Sequence, residues 1–218
     1  MKQVTVLLHG LMRSRFSMIH LAPFLNKAGL NTVALGYPST RYNLDKSVEL
    51  LARKLKKIIG QEPAEINFVG HSLGGIVARY FDLKQASLLE PEQSVKRIVM
   101  LASPNQGSET ARKVLKLRPV ANLIGPALKE LGELKLPEQT NTAEIGVIAG
   151  DIGEFASRLM WTNRAASDGT VTIAETKFAG IKDWIEVRAM HSSIMYSPTV
   201  IRETINFLTR GQFARASK

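Results

Sequence analysis

The sequence has 218 residues, 44% of them hydrophobic and 22% charged, which suits one α/β domain with a sizeable core and excludes a disordered chain. Lysine and arginine outnumber aspartate and glutamate by 29 to 19, a formal charge of +10. The absence of cysteine excludes disulfides, thiolate metal sites and a cysteine nucleophile. No apolar run approaches the roughly 20 residues of a membrane-spanning helix. The stretch Val4–Leu8 is too short for a secretory signal. A single cytoplasmic domain over residues 1–218 is expected.

Six short aliphatic or β-branched runs predict strands near 3–8, 31–36, 65–70, 96–102, 144–149 and 184–189. Most lack polar alternation, as strands covered on both faces do. Between the second and third, Leu44, Val48, Leu51, Leu55, Ile58 and Ile59 recur at one-turn spacing and predict a helix over 44–59. Asn43 is placed to cap its start and Gly60 its end. A last helix is predicted over 198–210, with Ser197 as N-cap, Pro198 in the first turn and Gly211 past the stop. Strands alternating with helices give a mostly parallel sheet, so the fold class is α/β. Residues 105–143 break the rhythm: leucines at helical spacing interrupted by Pro119, Gly125, Pro126, Gly132 and Pro137 predict a small helical cap.

The run Asn67-Phe68-Val69-Gly70-His71-Ser72-Leu73-Gly74-Gly75 closes a predicted strand and opens a predicted helix. Gly70-x-Ser72-x-Gly74 in that context is a nucleophile elbow: a sharp, strained turn lifts the serine hydroxyl above the sheet. The helix that follows aims free N–H groups and its positive dipole end at a developing oxyanion. A serine needs a base to become a nucleophile. Of the four histidines, His20 falls in the first helical region and His9 ends the first strand, where bracing the loop is its expected role. His71 adjoins the serine and is expected to project elsewhere. His191, on the loop after the last strand, is the expected base. The acid that orients the base belongs between serine and histidine in chain order. Asp151, directly after the strand 144–149, and Asp168, in the turn Ser167-Asp168-Gly169-Thr170-Val171, are near equal on spacing. Asp183 precedes the last strand, at the wrong end of the sheet. Two backbone N–H groups should hold the oxyanion, one of them from Leu73, next to the nucleophile.

Three motifs together resemble the serine lipases and esterases of the α/β-hydrolase superfamily, in pattern the small bacterial lipases. They are Leu8-His9-Gly10-Leu11, the segment Gly70–Gly75, and Ser167-Asp168-Gly169-Thr170-Val171 followed by His191. The resemblance implies Asp168 as the acid and the N–H of Leu11 as the second oxyanion donor. It also implies a minimal α/β-hydrolase sheet of about six strands, since the sequence begins at the strand bearing His9-Gly10. The expected activity is carboxylic-ester hydrolysis through an acyl-enzyme on Ser72, with a small acyl ester or lipid as substrate. Thioesterase, amidase and acyltransferase chemistry share the apparatus, and a non-catalytic member would bind a lipid or protein instead. No cofactor is expected, and no histidine–carboxylate cluster has metal-ligand spacing. Arg53, Lys54, Lys56 and Lys57 read as a solvated helix face. Arg112, Lys113, Lys116 and Arg118, beside Leu115, Leu117 and Val120, read first as an ordinary cap surface, with an anionic lipid surface or an acidic substrate as the alternative contact. No nucleic-acid motif accompanies the positive charge.

Overall fold

The computed structural model describes residues 1–117, 124–152 and 165–214. In chain order the elements are β1 (Lys2–Leu8), α1 (Ala22–Lys27), β2 (Thr32–Leu35), α2 (Leu44–Ile59), β3 (Ala64–His71) and α3 (Leu73–Leu88). They continue with β4 (Gln93–Leu101), α4 (Glu109–Leu115), α5 (Pro126–Gly132), β5 (Glu144–Asp151), β6 (Asp183–Arg188) and α6 (Pro198–Arg210). The six strands form one sheet in the order β2-β1-β3-β4-β5-β6, and every neighbouring pair is parallel. All strands therefore end on the same edge, and the loops that leave them meet there.

Successive strand residues face opposite cores, which is why the strands read as unbroken apolar runs. Val6, Leu8, Phe68 and Ile98 pack under α2 and α3, against Val48, Leu51, Ile76 and Phe81. Leu7, Val69, Val99 and Ile148 face the other way, toward Leu25 of α1 and Val200, Phe207 and Leu208 of α6. Helix α2 spans the predicted residues: the Asn43 side chain accepts the Lys46 N–H at 3.0 Å, and Gly60 ends the helix at a φ of 72°. Helix α6 begins at Pro198 as predicted, but the Ser197 side chain makes no capping bond. Gly211 closes α6 in the left-handed conformation.

Among its described residues the segment between β4 and β5 forms α4 and α5, which pack on each other beside the C-terminal sheet edge. Two buried groups of α3 fasten its flanks. Arg79 donates to the Asn105 side chain at 3.0 Å and to the Pro137 carbonyl, with its guanidinium 3.6 Å from the centre of the Phe178 ring. Asp82 accepts main-chain N–H groups from Asn141 (2.9 Å) and Ala143 (3.2 Å), fixing the return into β5.

Candidate active site

Ser72 stands between β3 and α3 with φ 52° and ψ −120°, a conformation that costs a residue with a side chain about 1–3 kcal/mol. The surroundings hold it there. Its N–H donates to the Leu101 carbonyl at 2.8 Å, and its carbonyl accepts from the Gly75 N–H at 3.1 Å. Close backbone approach also demands two glycines. A Cβ on Gly74 would run into the carbonyls of Leu8 and His9, and one on Gly10 would lie 3.0 Å from His71 Nδ1 and 3.2 Å from Ser72 Cβ. The loop after β1 thus lies directly against the serine. The other non-glycine residues with positive φ, among those described, are Met12 and Ala102. Both follow strand ends on this same edge.

On the loop after β6, His191 Nδ1 donates to Asp168 Oδ2 at 2.7 Å. Asp168 is buried, and its Oδ1 accepts the N–H groups of Thr170 (2.9 Å) and Val171 (2.7 Å). Its carbonyl accepts the His191 N–H at 2.9 Å, so main chain and side chain both tie the two residues together. The turn itself is closed by a bridge between Ser167 and Thr172, with Gly169 at a φ of 93°. A donating Nδ1 leaves Nε2 with a lone pair, the form a general base needs. The other aspartates lie elsewhere. Asp151 ends β5, where its carbonyl accepts from the Ala189 N–H, and Asp183 accepts from the Phe213 N–H at the far end of β6.

Ser72 and His191 line one cavity of about 230 Å³ whose walls are mainly apolar, from Leu11, Ala111, Val114, Ile124, Leu128 and Leu131. Neither the Leu11 nor the Leu73 N–H meets an acceptor among the described residues, although Leu73 is buried. An N–H so placed at a helix start is available to an anion. Helices α4 and α5 supply most of the apolar wall. Of the basic residues there, Arg112 donates to the Gly132 carbonyl and Lys113 pairs with Glu109 at 3.1 Å. Arg118 and Val120 lie outside the described residues.

The remaining histidines divide clearly. His9 stacks on Tyr37 at 4.5 Å, donates from Nδ1 to the Gly10 carbonyl at 2.9 Å, and accepts the Tyr37 N–H at 3.4 Å. Tyr37 in turn donates its hydroxyl to the His9 carbonyl at 2.7 Å, so the pair braces the loop after β1. Burial lowers the His9 pKa despite these bonds. His20 bonds the Met195 carbonyl on the other face of the sheet and takes no part in the cavity. His71 is more closely involved than its sequence position suggests: its ring lies 4.8 Å from that of His191 and its Nε2 donates to the His191 carbonyl at 2.9 Å. Among the described residues no group of three or more histidines and carboxylates is placed to hold a metal ion. None of their helices is long and apolar enough to cross a membrane.

Residues 28–149, more than half of the sequence, match the model of a family described as a domain of unknown function, DUF7379. The chain belongs to that family. No curated protein compared with this DUF7379 member matches it. Solved structures do resemble it. The mature form of Bacillus licheniformis lipase BlEst2 is 19% identical with a TM-score of 0.66, over 89% of this chain and 86% of that one. The ydeN product of B. subtilis is 17% identical with a TM-score of 0.61, over 96% and 100%. The NocB thioesterase domain from the nocardicin cluster is 13% identical with a TM-score of 0.58, over 96% and 93%. Together these likenesses establish the α/β-hydrolase fold for this member of DUF7379.

Two residues of the site are not singled out by sequence reasoning. His71 carries a signal, since it directly precedes the serine at the strand end. Arg13, which lines the cavity and donates to the Ser192 carbonyl at 3.1 Å, sits a few residues past β1 with no motif of its own beyond the His9-Gly10 loop.

Proposed function

We propose that the protein is a serine hydrolase of carboxylic esters, with Ser72 as nucleophile, His191 as general base and Asp168 as its orienting acid. The observation that carries this reading is the bonded pair Asp168–His191 on the same apolar cavity as a strained, positive-φ serine. Ser72 Oγ attacks the acyl carbonyl carbon while its proton passes to His191 Nε2. The carbonyl π electrons move onto oxygen, and the N–H groups of Leu11 and Leu73 stabilise that oxyanion, each by about 3 kcal/mol of barrier. Collapse breaks the ester C–O bond, and the proton on His191 goes to the departing alcohol oxygen. Water then attacks the acyl-serine, giving a proton to His191 and releasing the carboxylic acid as Ser72 regains its own.

In this reading the described part of residues 105–143 serves as the cap, and the wall of Val114, Ile124, Leu128 and Leu131 receives the acyl chain. No metal or cofactor enters any step. The likeness to a thioesterase domain makes thioesters a second substrate class, because both proceed through the same acyl-serine. A series of p-nitrophenyl esters from acetate to palmitate, with a matched acyl thioester, tests the reading. Turnover abolished in Ser72→Ala, with fluorophosphonate labelling of Ser72 in the unaltered protein, supports it. No labelling and no turnover of any ester or thioester would overturn it and leave a binding-only member of the fold.

A further inference from the structure

Beside the apolar cavity lies a second groove of about 470 Å³ whose floor is Phe16, Tyr37, Pro38 and Leu50 and whose charged side chains are all basic. Arg13, Ser14 and Arg15 come from the loop after β1, Tyr37 from the loop after β2, and Lys54 from α2. Among the described residues no acidic side chain lines it. Elsewhere on the surface Lys56, Lys84, Lys96, Arg97 and Lys182 each sit against a carboxylate. Among the described residues Arg13, Arg15 and Lys54 have no such partner: Arg13 donates to Ser192 O, Lys54 to Gly36 O, and the Arg15 guanidinium lies over the Phe16 ring. Each keeps unused N–H donors, since a guanidinium has five and an ammonium three. Their charge is felt by the site. Lys54 contributes to the lowered pKa of His9, and Arg13 to that of His71, in each case after burial.

The two cavities share a wall, because Arg13 lines both. Their order follows from the proposed reaction, on which this inference rests. His191 must hand its proton to the leaving oxygen, so the alcohol half of the substrate departs past His191. Arg13 is bonded to the residue that follows His191. The apolar cavity therefore faces the acyl half and the basic groove the alcohol half. We infer that the groove binds a phosphate on the alcohol moiety, so that the preferred substrates are acyl esters of phosphorylated alcohols. A phosphate monoester carries nearly two negative charges at neutral pH, which three uncompensated cations in one groove match better than a single carboxylate would. Forked arginine donors suit its oxygens in particular.

A matched pair of soluble esters tests this: 1-butyrylglycerol 3-phosphate and 1-butyrylglycerol, which differ only by the phosphate. Charge-assisted hydrogen bonds predict a preference of at least about tenfold in kcat/KM for the phosphorylated ester, expressed in KM. The preference should shrink as salt rises from about 0.05 to 0.3 M. In the double variant Arg15→Gln/Lys54→Gln it should fall to within about threefold of unity, with 1-butyrylglycerol hydrolysed at the original rate. Binding supplies an independent arm that needs no turnover. Calorimetry should show glycerol 3-phosphate binding to Ser72→Ala, and at least about tenfold weaker binding once the groove substitutions are added. Binding of that kind without hydrolysis of either ester would leave the groove assignment standing and sink the esterase reading. Equal rates on the two esters, or a preference the double variant retains, would overturn the groove assignment. So would equal rates accompanied by sedimentation with anionic vesicles that depends on Arg15 and Lys54, because lipid headgroups would then be the phosphate source.

Discussion

The imidazole of His71 donates a hydrogen bond to the main-chain oxygen of His191 at 2.9 Å, and that loop oxygen has a partner fixed to the end of β3. The residue next to the proposed nucleophile thereby holds the loop that carries the proposed base. Replacing it by phenylalanine keeps the ring and deletes the donor. His71→Phe is expected to lower kcat by about tenfold to a hundredfold, the usual consequence of misplacing a base by a fraction of an ångström to an ångström. Steady-state kinetics on a p-nitrophenyl ester will read it. An unchanged kcat in a folded variant would mean that the loop is held by Asp168 and Arg13 alone.

Asp168 and Asp151 make opposite predictions on substitution. Asp168→Asn retains an oxygen for the Thr170 and Val171 N–H groups but presents an amide to His191 Nδ1, favouring the wrong tautomer. A kcat loss of roughly 10³–10⁴-fold with little change in KM is expected. Asp151→Asn should cost less than about tenfold, because its carboxylate is not the one bonded to His191. Equal losses in the two variants would contradict the assignment.

Chain-length preference should follow the apolar wall. Ala111 is buried and lines the cavity beside Val114. Ala111→Phe fills part of about 230 Å³ and is expected to move the preferred acyl chain toward acetate and butyrate, at unchanged or higher rates for the shortest ester. The p-nitrophenyl series measures this shift; a uniform loss at every length would point to damage rather than occlusion.

Stability should fall in mild acid. Burial lowers the pKa of His9 and holds His71 well below the ordinary histidine range, the latter helped by the charges of His191 and Arg13. The unfolded chain takes up these protons below pH about 6.5, whereas the folded chain refuses them. Stability is therefore full above that pH and is lost as pH drops beneath it. Each histidine contributes a slope of up to about 1.4 kcal/mol per pH unit. Urea midpoints at pH 7.5 and 5.5, compared between the unaltered protein and His71→Gln, should show a flatter dependence in the variant.

Much of the architecture is legible in the sequence, and the reason lies in which interactions are local. The runs at Val4–Leu8 and Ile66–Gly70 announce strands because both faces are covered, and α2 begins and ends where Asn43 and Gly60 dictate. Strand β4 starts earlier than its apolar stretch because Gln93 and Ser94 pair with Ala64 and Glu65, a gain that hydropathy does not register. The site is legible where geometry is encoded in a short motif, as at Gly70–Gly74. It is not legible where it depends on distant parts meeting. Spacing alone leaves Asp151 and Asp168 equal, since the choice turns on how the Ser167–Thr172 hairpin sets its carboxylate against a loop twenty-odd residues later. Tyr37 beneath His9, and the three cations converging from two separate segments, likewise leave no trace in any one stretch of sequence.

The unusual dihedral angles at Ser72 carry a consequence for anyone who tries to engineer this protein. A glycine at that position would relax into the same turn without strain, while an alanine would inherit the full cost. Set against the greater chain entropy of an unfolded glycine, the net gain is about 1 kcal/mol, or roughly 2–4 °C in Tm. Ser72→Gly should thus melt later than both Ser72→Ala and the parent, while being inert. A thermal-tolerance screen run without an activity readout would enrich that dead variant, and thermotolerant isolates from such a selection should be sequenced at codon 72 first.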